Sequence, residues 1–418
     1  MEFIADLHIH SKFSRATSGD MVIPKIAEAA EWKGISLVGT GDFTHPQWLE
    51  MLRNDLTEED NGTFIYNNTH FILTSEVNNI YTKNGKLRRI HNIIFTPGFS
   101  SAEKISQYLA KYGNLKSDGR PLLSLDSKVM LEKILEIDSD SFVVPSHIWT
   151  PWFSLFGSKS GFDSIDECFG ELSNQVFALE TGLSSDPKMN WTLSALDNYT
   201  LISNSDAHSP SRMGREANVF SGKISFFDIR DILKTKDKTR FLYTLEFFPE
   251  EGKYHYDGHR NCNVVLNPQQ SEAIDDICPV CGKQLTIGVA HRVHFLADRK
   301  DGFVPDNAIP YKNIVPLEEI IAEVLDIGRD SVTVRNQYLK LVKDLGGEFN
   351  ILLKVPIDDI AAHSDQRIAY GVEQMRKGNI NIAPGYDGVF GKISILLSET
   401  KSQSNKNNEQ EQNQMKLF

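Results

Sequence analysis

Cysteine and long apolar runs are what this sequence has least of. Only 4 of its 418 residues are cysteine, too few for the disulfide scaffold of a small secreted domain. No apolar run approaches the roughly 18 residues that cross a bilayer, and the opening MEFIADLHIH lacks the charged-then-apolar pattern of a signal peptide. We therefore expect a soluble cytoplasmic protein with no membrane partner.

An excess of basic residues is also absent. The chain has 44 lysines and arginines against 56 aspartates and glutamates, a formal net charge of −12. This balance argues against a generally basic nucleic-acid binder. Bound divalent cations would offset part of an acidic site, however, so net charge alone leaves the substrate class open. The length predicts two or three domains.

Histidines and carboxylates close a series of apolar runs in the first half of the chain. They are Asp6, His8 and His10, Asp42 and His45, Glu76, His91, His147, and Asp206 with His208. Strand ends that converge on one barrel mouth can gather such ligands around divalent metals. A lone histidine is more often a packed residue, but alternate residues of a strand share one face, as in the pair His8 and His10. The whole set predicts metal-assisted attack on a phosphate ester.

Helical segments alternate with short apolar strands over the same part of the chain. The predicted helices are PKIAEAAEWKG, which starts at Pro24, SKVMLEKILEI before SFVVPSH, and PKMNWTLSALDNY before TLISNSDAH. This alternation predicts an α/β fold with a largely parallel sheet. Each ligand cluster is then expected just past the end of a strand, where β/α barrels carry their chemistry.

A second group of metal ligands lies further along the chain. His259, Cys262, Cys278 and Cys281 form His-x-x-Cys and Cys-x-x-Cys pairs, the spacing of a tetrahedral structural zinc site. Four protein ligands leave no open position for water, so this zinc would be structural. His255 competes as the fourth ligand. Cys168 stands alone and is expected to be buried packing.

Two further segments have open roles. The aromatic residues Trp149, Trp152 and Phe153 follow His147, either as a hydrophobic plug or as rings that stack on an extruded base. The glycine-rich turn PGYDGVFG presents Tyr386, a second candidate for DNA contact.

The ordered motifs DLHIH, GTGD, SE, an isolated H, PSH and SDAH resemble the polymerase and histidinol phosphatase (PHP) superfamily over roughly residues 1 to 240. The resemblance implies a distorted barrel of seven β/α units with two or three divalent metals (Zn, Mn or Mg) at its mouth. It implies that His8, His10, Glu76 and Asp206 hold one metal, that Glu76 bridges to a second held by His91 and His147, and that Asp42 and His208 serve a third. Asp42, Asp206 and His208 are the predicted catalytic residues. The family motif Thr-Asp-His is replaced here by Thr40-Gly41-Asp42.

Together with the zinc pairs and the segment GYDGVFGKI, the motifs resemble the endonuclease Q family over nearly the whole chain. The resemblance implies a DNA repair enzyme that nicks 5′ to hypoxanthine, uracil, xanthine or an abasic site, and hence a nucleoid-associated protein. A small-molecule phosphatase of the histidinol-phosphate type is the alternative, since it would share every barrel ligand. A non-catalytic binding protein that kept the barrel is a third class.

The expected domains are a metal phosphoesterase barrel (1–246), a zinc-binding module (247–300), a mixed, largely helical DNA-binding region (301–397) and a disordered tail (398–418). The tail is polar and of low complexity. Its end, with Gln414, Leu417 and Phe418, resembles the Gln-x-x-Leu-Phe motif by which bacterial proteins bind the sliding clamp. The clamp is therefore a predicted partner beside DNA.

Overall fold

The computed structural model describes residues 1–395 and divides the chain into two compact units. The first consists of Met1–Ile314 with Pro384–Gly391, and the second of Val315–Ala383 with the segment that begins at Lys392. The domain boundaries expected near residues 246 and 300 lie inside the first unit and stay predictions. The clamp-like residues Gln414, Leu417 and Phe418 lie outside the described residues.

The first unit is built on an eleven-stranded mixed sheet flanked by helices. The whole unit contains the strands β1 (Glu2–Asp6), β2 (Leu37–Gly39), β3 (Thr57–Glu58), β4 (Phe64–Tyr66), β5 (Thr69–Lys83), β6 (Lys86–Thr96), β7 (Leu122–Leu123), β8 (Phe142–Pro145), β9 (Ala178–Glu180), β10 (Thr200–Ile202), β11 (Ala217–Ser221), β12 (Phe241–Glu246), β13 (Asp257–His259), β14 (Val264–Leu266) and β15 (Tyr311–Asn313). Four of these, β9, β10, β13 and β14, lie outside the eleven-stranded sheet. Its helices are α1 (Ile23–Lys33), α2 (Pro46–Asp55), α3 (Phe99–Leu109), α4 (Ser127–Ile137), α5 (Ile165–Phe169), α6 (Pro187–Asn190), α7 (Phe226–Thr235), α8 (Pro268–Glu272) and α9 (Val289–Leu296).

Parallel pairing joins β1 to β2 and β2 to β5 in the centre of the sheet, while β1–β11 and β11–β12 are antiparallel. Strands β9 and β10 form a separate parallel pair, and β13 and β14 form a separate antiparallel pair. Apolar side chains such as Leu7, Ile72 and Phe220 are fully buried in one core. The predicted α/β class is confirmed, whereas closure into seven β/α units stays a prediction.

Two of the three predicted helices are present in the structure, and the third is much shorter than predicted. Helix α1 has a proline in its first turn and ends at Gly34, whose φ of 82° is the left-handed C-cap that glycine favours. Helix α4 spans the predicted segment SKVMLEKILEI, and Asp126 caps it by accepting from the Lys128 amide. The segment PKMNWTLSALDNY, however, forms only the four-residue α6 and a 3₁₀ turn at Ser194–Leu196.

A long antiparallel hairpin of β5 and β6 changes where two of the predicted ligands lie. Glu76 pairs with Ile93 and Asn78 with His91, so both ligands sit inside strands rather than past their ends. The expectation that every cluster follows a strand end is therefore wrong for Glu76 and His91. The physical cause is the turn Asn84-Gly85, where φ is 54° and 72°, which matches the two-residue hairpin turn that joins antiparallel strands.

The second unit is mainly helical, as expected for the C-terminal region. It contains α10 (Leu317–Leu325), α11 (Val332–Leu345), α12 (Glu348–Leu353), α13 (Ile357–His363), α14 (Gln366–Lys377) and the antiparallel strands β16 (Ile380–Ala383) and β17 (Lys392–Ile395). Helix α10 buries Leu317, Ile320, Ile321 and Val324, the spacing of one apolar helix face. Over residues 1–395, no helix combines the length and the apolar character that a bilayer crossing requires.

Two buried glutamates lie at the end of the β11–β12 pair. Glu216 and Glu246 are both 0% exposed, next to the paired Ala217 and Leu245. Burial raises the pKa of Glu246 to about 8, although Ser203 and Thr244 donate hydrogen bonds to its Oε1. Burial and the neighbouring Glu246 raise the pKa of Glu216 well above its ordinary value. This pair therefore favours the protonated state.

Replacing Glu246 with glutamine is expected to remove a pH-dependent loss of stability. The folded pKa of about 8 lies above the ordinary 4.5, so the free energy of unfolding falls by up to about 1.4 kcal/mol per pH unit as pH rises between these values. The advantage of Glu246→Gln in Tm should grow from pH 5 to pH 8 in thermal unfolding scans. Glu132→Gln, on the exposed face of α4, is the matched control. Parallel pH curves for wild type and Glu246→Gln would contradict the assignment.

Candidate metal centre

Seven of the predicted ligands come together in the first unit. Three overlapping sets each bring one ligand atom per residue within 4.8 Å of one another: His8, His10 and Glu76; His10, Asp206 and His208; and Glu76, His91 and His147. Glu76 and His10 each belong to two sets. The cluster therefore has the connectivity of a polynuclear site.

The Glu76 carboxylate lies at the centre of the cluster. Its Oε1 is 2.8 Å from His91 Nδ1 and 3.0 Å from His147 Nε2. Its Oε2 is 3.4 Å from His10 Nε2, 3.7 Å from His8 Nε2 and 3.2 Å from Arg120 Nη1. The two oxygens thus face two different groups of imidazoles, which is the arrangement of a bridging ligand.

His8 and His10 are oriented in the same way. His8 Nδ1 lies 3.0 and 3.1 Å from the two oxygens of Glu180, and His10 Nδ1 lies 3.0 Å from Asp42 Oδ1. Because a carboxylate only accepts hydrogen bonds, each Nδ1 is the donor and each Nε2 is left with a lone pair. Both Nε2 atoms point toward Glu76 and Asp206.

Unpaired buried atoms support a metal at this place. His10 Nε2 lies 3.0 Å from Asp206 Oδ1, yet neither atom, nor His8 Nε2, has a hydrogen-bond partner among the described residues. Buried polar atoms are normally paired, and leaving one unsatisfied costs about 1–3 kcal/mol. Divalent cations would satisfy all three atoms together, so the donor set fits the predicted metals.

The electrostatics favour the ligand forms of His91, Glu76 and Asp206. The pKa values of His8, His10 and His147 are instead raised, because the neighbouring carboxylates outweigh the effect of burial. Burial lowers the pKa of His91 to about 4, which keeps this imidazole neutral at physiological pH. Burial opposes ionisation of Glu76, but His91, Arg120 and His8 hold its pKa well below the ordinary value. The pKa of Asp206 is likewise lowered, since His10 and His8 outweigh the effect of burial.

Strained backbone positions three of these side chains. Asp42, His147 and Asp206 have positive φ values of 52°, 29° and 48°, a region that non-glycine residues rarely adopt and that costs on the order of 1–3 kcal/mol each. The Asp206 segment is held by Asp6, which accepts hydrogen bonds from the backbone amides of Ser205 and Gly214. Such strain is typical of functional sites.

Asp42 lies behind His10 rather than beside His208. Its carboxylate accepts from His10 Nδ1, from the amide and hydroxyl of Ser11, and from the hydroxyl of Ser14. His208 instead joins His10 and Asp206, with its ring centroid 4.5 Å from that of His10. The geometry thus favours an orienting role for Asp42, and the third metal proposed between Asp42 and His208 stays a prediction.

Two residues of the site were missed by sequence reasoning. Glu180 ends β9 and binds His8, and it also accepts from the Asn204 side chain and the His147 amide. It closes the apolar run VFALE, so the rule that found the other ligands applies to it as well. Arg120 contacts Glu76 from the loop before β7, where no local pattern indicates such a contact.

The predicted DNA-contacting aromatics have different environments. Trp149 is 1% exposed and donates from Nε1 to Asn190, so we assign it to packing. Trp152 is 52% exposed, and Phe153 packs 5.2 Å from the His91 ring. Tyr386 is 8% exposed and donates its hydroxyl proton to Asn263. Of these four rings, Trp152 is the one that presents a large surface to solvent.

A separate cluster brings His259, Cys262, Cys278 and Cys281 together with all four ligand atoms within 4.8 Å. His255 is buried apart from this set, and its ring stacks on Tyr256. Desolvation opposes ionisation of Cys278, but the amides of Cys281 and Val280 donate hydrogen bonds that lower its pKa to about 7. This geometry fits a tetrahedral zinc site with His259 as the fourth ligand.

Comparison with known proteins gives matches to both units. Residues 316–379 match a family model described as the MJ0043 C-terminal domain. The uncharacterized protein MJ0043 of Methanocaldococcus jannaschii is 33% identical over 274 residues, which are 62% of this chain and 34% of that protein. The chain thus spans about a third of the length of that relative. The uncharacterized protein YqxK of Bacillus subtilis is 29% identical and covers 93% of this chain and 98% of its own.

Two solved structures are similar over nearly the whole chain. The lesion-specific endonuclease PfuEndoQ from Pyrococcus furiosus has a TM-score of 0.85 at 34% identity, covering 94% of this chain and 96% of its own. Endonuclease Q in complex with a 27-mer duplex substrate with an abasic lesion at the active site has a TM-score of 0.83 at 34% identity, covering 95% and 97%.

Glu180→Gln is expected to weaken metal binding without unfolding the protein. Glutamine keeps the shape of the side chain but loses the charge that orients His8 and makes it a better ligand, an effect worth about 10- to 100-fold in metal affinity. Titration with Mn²⁺ or Zn²⁺ by calorimetry measures this loss. Glu171→Gln, which removes an exposed carboxylate paired with Lys128, should leave the affinity unchanged. Equal affinities in all three proteins would argue against the orienting role.

Cys278→Ser is expected to release one equivalent of zinc and to lower the Tm of the first unit. Serine is a poor zinc ligand, and a structural site contributes folding free energy directly. Metal analysis and thermal unfolding measure both effects. Cys168→Ser is the control, because Cys168 is buried far from the cluster in sequence and should retain the zinc. A Cys278→Ser protein with full zinc content and an unchanged Tm would exclude a structural site.

Proposed function

Because the chain belongs to the endonuclease Q family, we propose that it is a metal-dependent DNA repair endonuclease. We infer that it nicks the phosphodiester 5′ to deaminated bases (hypoxanthine, uracil, xanthine) or abasic sites. The observation that carries this proposal is the buried cluster around Glu76, whose unpaired ligand atoms fit several divalent cations. The solved endonuclease Q complex with an abasic duplex supports the same substrate class.

Bound divalent cations would supply Lewis-acid activation of water and stabilisation of the leaving oxygen. His8, His10, Glu76 and Asp206 would hold one ion, and Glu76, His91 and His147 a second. His208 donates from Nδ1 to the backbone carbonyl of Asp206, 2.8 Å away, which leaves its Nε2 to accept or return a proton. Its side chain is partly exposed, as a proton-transfer group at the entrance of a site requires.

Arg120 is positioned to bind the substrate phosphate. Its guanidinium lies 3.2 Å from Glu76 Oε2 and is a quarter exposed, so one side faces the cluster while other N–H groups stay accessible. Arginine binds phosphate oxygens with charge-assisted hydrogen bonds. We propose that Arg120 contacts the scissile phosphate and offsets the charge of Glu76 when no ion is bound.

Lesion recognition begins in the DNA itself. An enzyme that acts beside a damaged nucleotide extrudes it from the stack, which costs a few kcal/mol and is easier for mispaired or abasic positions. The zinc cluster would serve as a structural platform for this contact, since its four ligands leave no open position for chemistry. Binding of the sliding clamp through Gln414, Leu417 and Phe418 stays a prediction from the sequence.

A small-molecule phosphatase would share the ligand cluster, but such an enzyme has no use for the zinc platform. The likeness to endonuclease Q includes that segment and the C-terminal unit, which favours the nuclease. Release of phosphate from histidinol phosphate, without cleavage of lesion-containing DNA, would identify the alternative.

Asp206→Asn is expected to reduce nicking by at least about 10³-fold, because the loss of a charged ligand removes several kcal/mol of transition-state stabilisation. The assay uses duplexes with one uracil, hypoxanthine or abasic site, and the cut position is mapped. DNA affinity should change little. Asp231→Asn, which removes an exposed carboxylate on α7, is the matched control. Lack of a 5′ cut by the wild-type enzyme on all three duplexes would overturn the proposed function.

A further inference from the structure

The glycine-rich turn between β16 and β17 has a use that the catalytic proposal does not explain. Residues 384–391, which connect these two strands, belong to the first unit. Within this turn Tyr386 is buried, but Phe390 is 73% exposed and its neighbour Val389 is 40% exposed. The tip of the turn thus presents apolar side chains to solvent.

Backbone hydrogen bonds hold the turn in one position. The amides of Gly385, Gly388 and Gly391 donate to the carbonyls of Glu250, Lys253 and Glu251 at 2.8, 2.8 and 3.1 Å. In the reverse direction, the Tyr256 amide donates to the Gly385 carbonyl at 2.9 Å. Tyr386 and Val389 also exchange two bonds across the tip, so Phe390 stands on a rigid base.

Side-chain contacts fix the same turn to the zinc segment. Asp387 accepts from the Arg260 amide at 2.7 Å and from the Thr286 hydroxyl at 2.6 Å. Tyr386 packs so closely on Gly258 that a Cβ there would lie 2.4 Å from its ring. The turn is therefore built onto the segment that also holds His259.

Cations and a second ring surround the exposed phenylalanine. Lys253 Nζ lies 5.7 Å from the ring centres of both Phe390 and Tyr254, and Tyr254 is 39% exposed. The Arg260 guanidinium is beside Gly388 at the tip. Among the nearby acids, Asp387 is engaged in hydrogen bonds, and burial raises the pKa of Glu250. Lys253 and Arg260 thus place two positive charges beside the exposed rings at the tip.

We propose that Phe390 is a wedge that enters the base stack of duplex DNA beside the lesion, with Lys253 and Arg260 on the neighbouring phosphates. This inference rests on the proposed function. Single exposed apolar residues are common, but a rigidly held aromatic ring beside two cations has the composition of the wedges that unstack base pairs. The ring would fill the space left by an extruded nucleotide, which explains why rigidity is required.

DNA fits this surface better than a protein partner does. A protein interface usually needs about 800 Å² on each side, whereas a wedge needs one ring with cations for the flanking phosphates. Stacking of one aromatic ring on a base changes binding by about five- to hundredfold. Phe390 is therefore expected to matter for paired substrates, whose bases must be separated, and much less for unpaired ones.

The test compares Phe390→Ala with wild type on one uracil-containing strand, either annealed to its complement or single. Phe390→Ala should cut the duplex about five- to hundredfold more slowly and the single strand within about twofold of wild type. Phe390→Trp should restore duplex cutting, and Phe303→Ala, another exposed phenylalanine, should leave it unchanged. Equal rates for Phe390→Ala and Phe303→Ala on the duplex, or equal losses on both substrates, would overturn the wedge.

A second measurement does not depend on cleavage. In the Asp206→Asn background, 2-aminopurine next to the lesion should brighten on binding because the wedge unstacks it, and the added Phe390→Ala change should abolish that increase. An increase that survives Phe390→Ala would exclude the wedge. If wild type fails to cut any lesion duplex while this signal depends on Phe390, the proposed function is wrong but the wedge stands.

Discussion

The burial of one carboxylate among four imidazoles is the constraint on which the rest of the structure depends. Glu76 is 1% exposed, and its two oxygens lie within 3.7 Å of His8, His10, His91 and His147. An ionised carboxylate out of water costs several kcal/mol unless charges and hydrogen bonds compensate it. Arg120 supplies one positive charge, and divalent cations would supply the remainder. Binding of cations therefore offsets the cost of burying the Glu76 charge, and this contributes to the metal affinity of the site.

This constraint explains why the ligands come from so many parts of the chain. Glu76 and His91 lie on the two paired strands of the β5–β6 hairpin, two register positions apart, whereas His147 and Asp206 follow β8 and β10. Carboxylates that do not reach the cluster orient the imidazoles that do: Glu180 orients His8, and Asp42 orients His10. The Nε2 atoms of His8 and His10 are thereby left free to bind a metal, but two further carboxylates must be buried to achieve this. The buried carboxylates that hold the strands' ends together are thus also the groups that orient the ligands of the site.

The predicted ligands that come together around Glu76 each belong to a short local motif, and this is why the sequence could pick them out. The α/β class and helices α1 and α4 follow from local patterns as well. The hairpin was missed although Asn84-Gly85 is a strong turn signal, and with it the placement of Glu76 and His91 inside strands. The exposure of individual side chains could not be predicted from the sequence, because it depends on tertiary packing. Tyr386 and Phe390 lie four residues apart in one turn, yet the first is buried and the second is exposed. Arg120 acts from a loop, where no periodicity indicates a contact.

The acidic net charge is compatible with DNA binding once the positions of the acids are considered. Some carboxylates do not contribute to the outer field, since the buried Glu216 and Glu246 favour the protonated state, and Arg120 offsets part of the charge of Glu76. Each bound divalent cation would add two positive charges where the phosphate must approach. The field that DNA meets is thus less negative than the formal charge of −12 indicates. Removal of the cations would restore a cluster of negative charge at the same place, so metal binding and DNA approach are coupled through electrostatics alone.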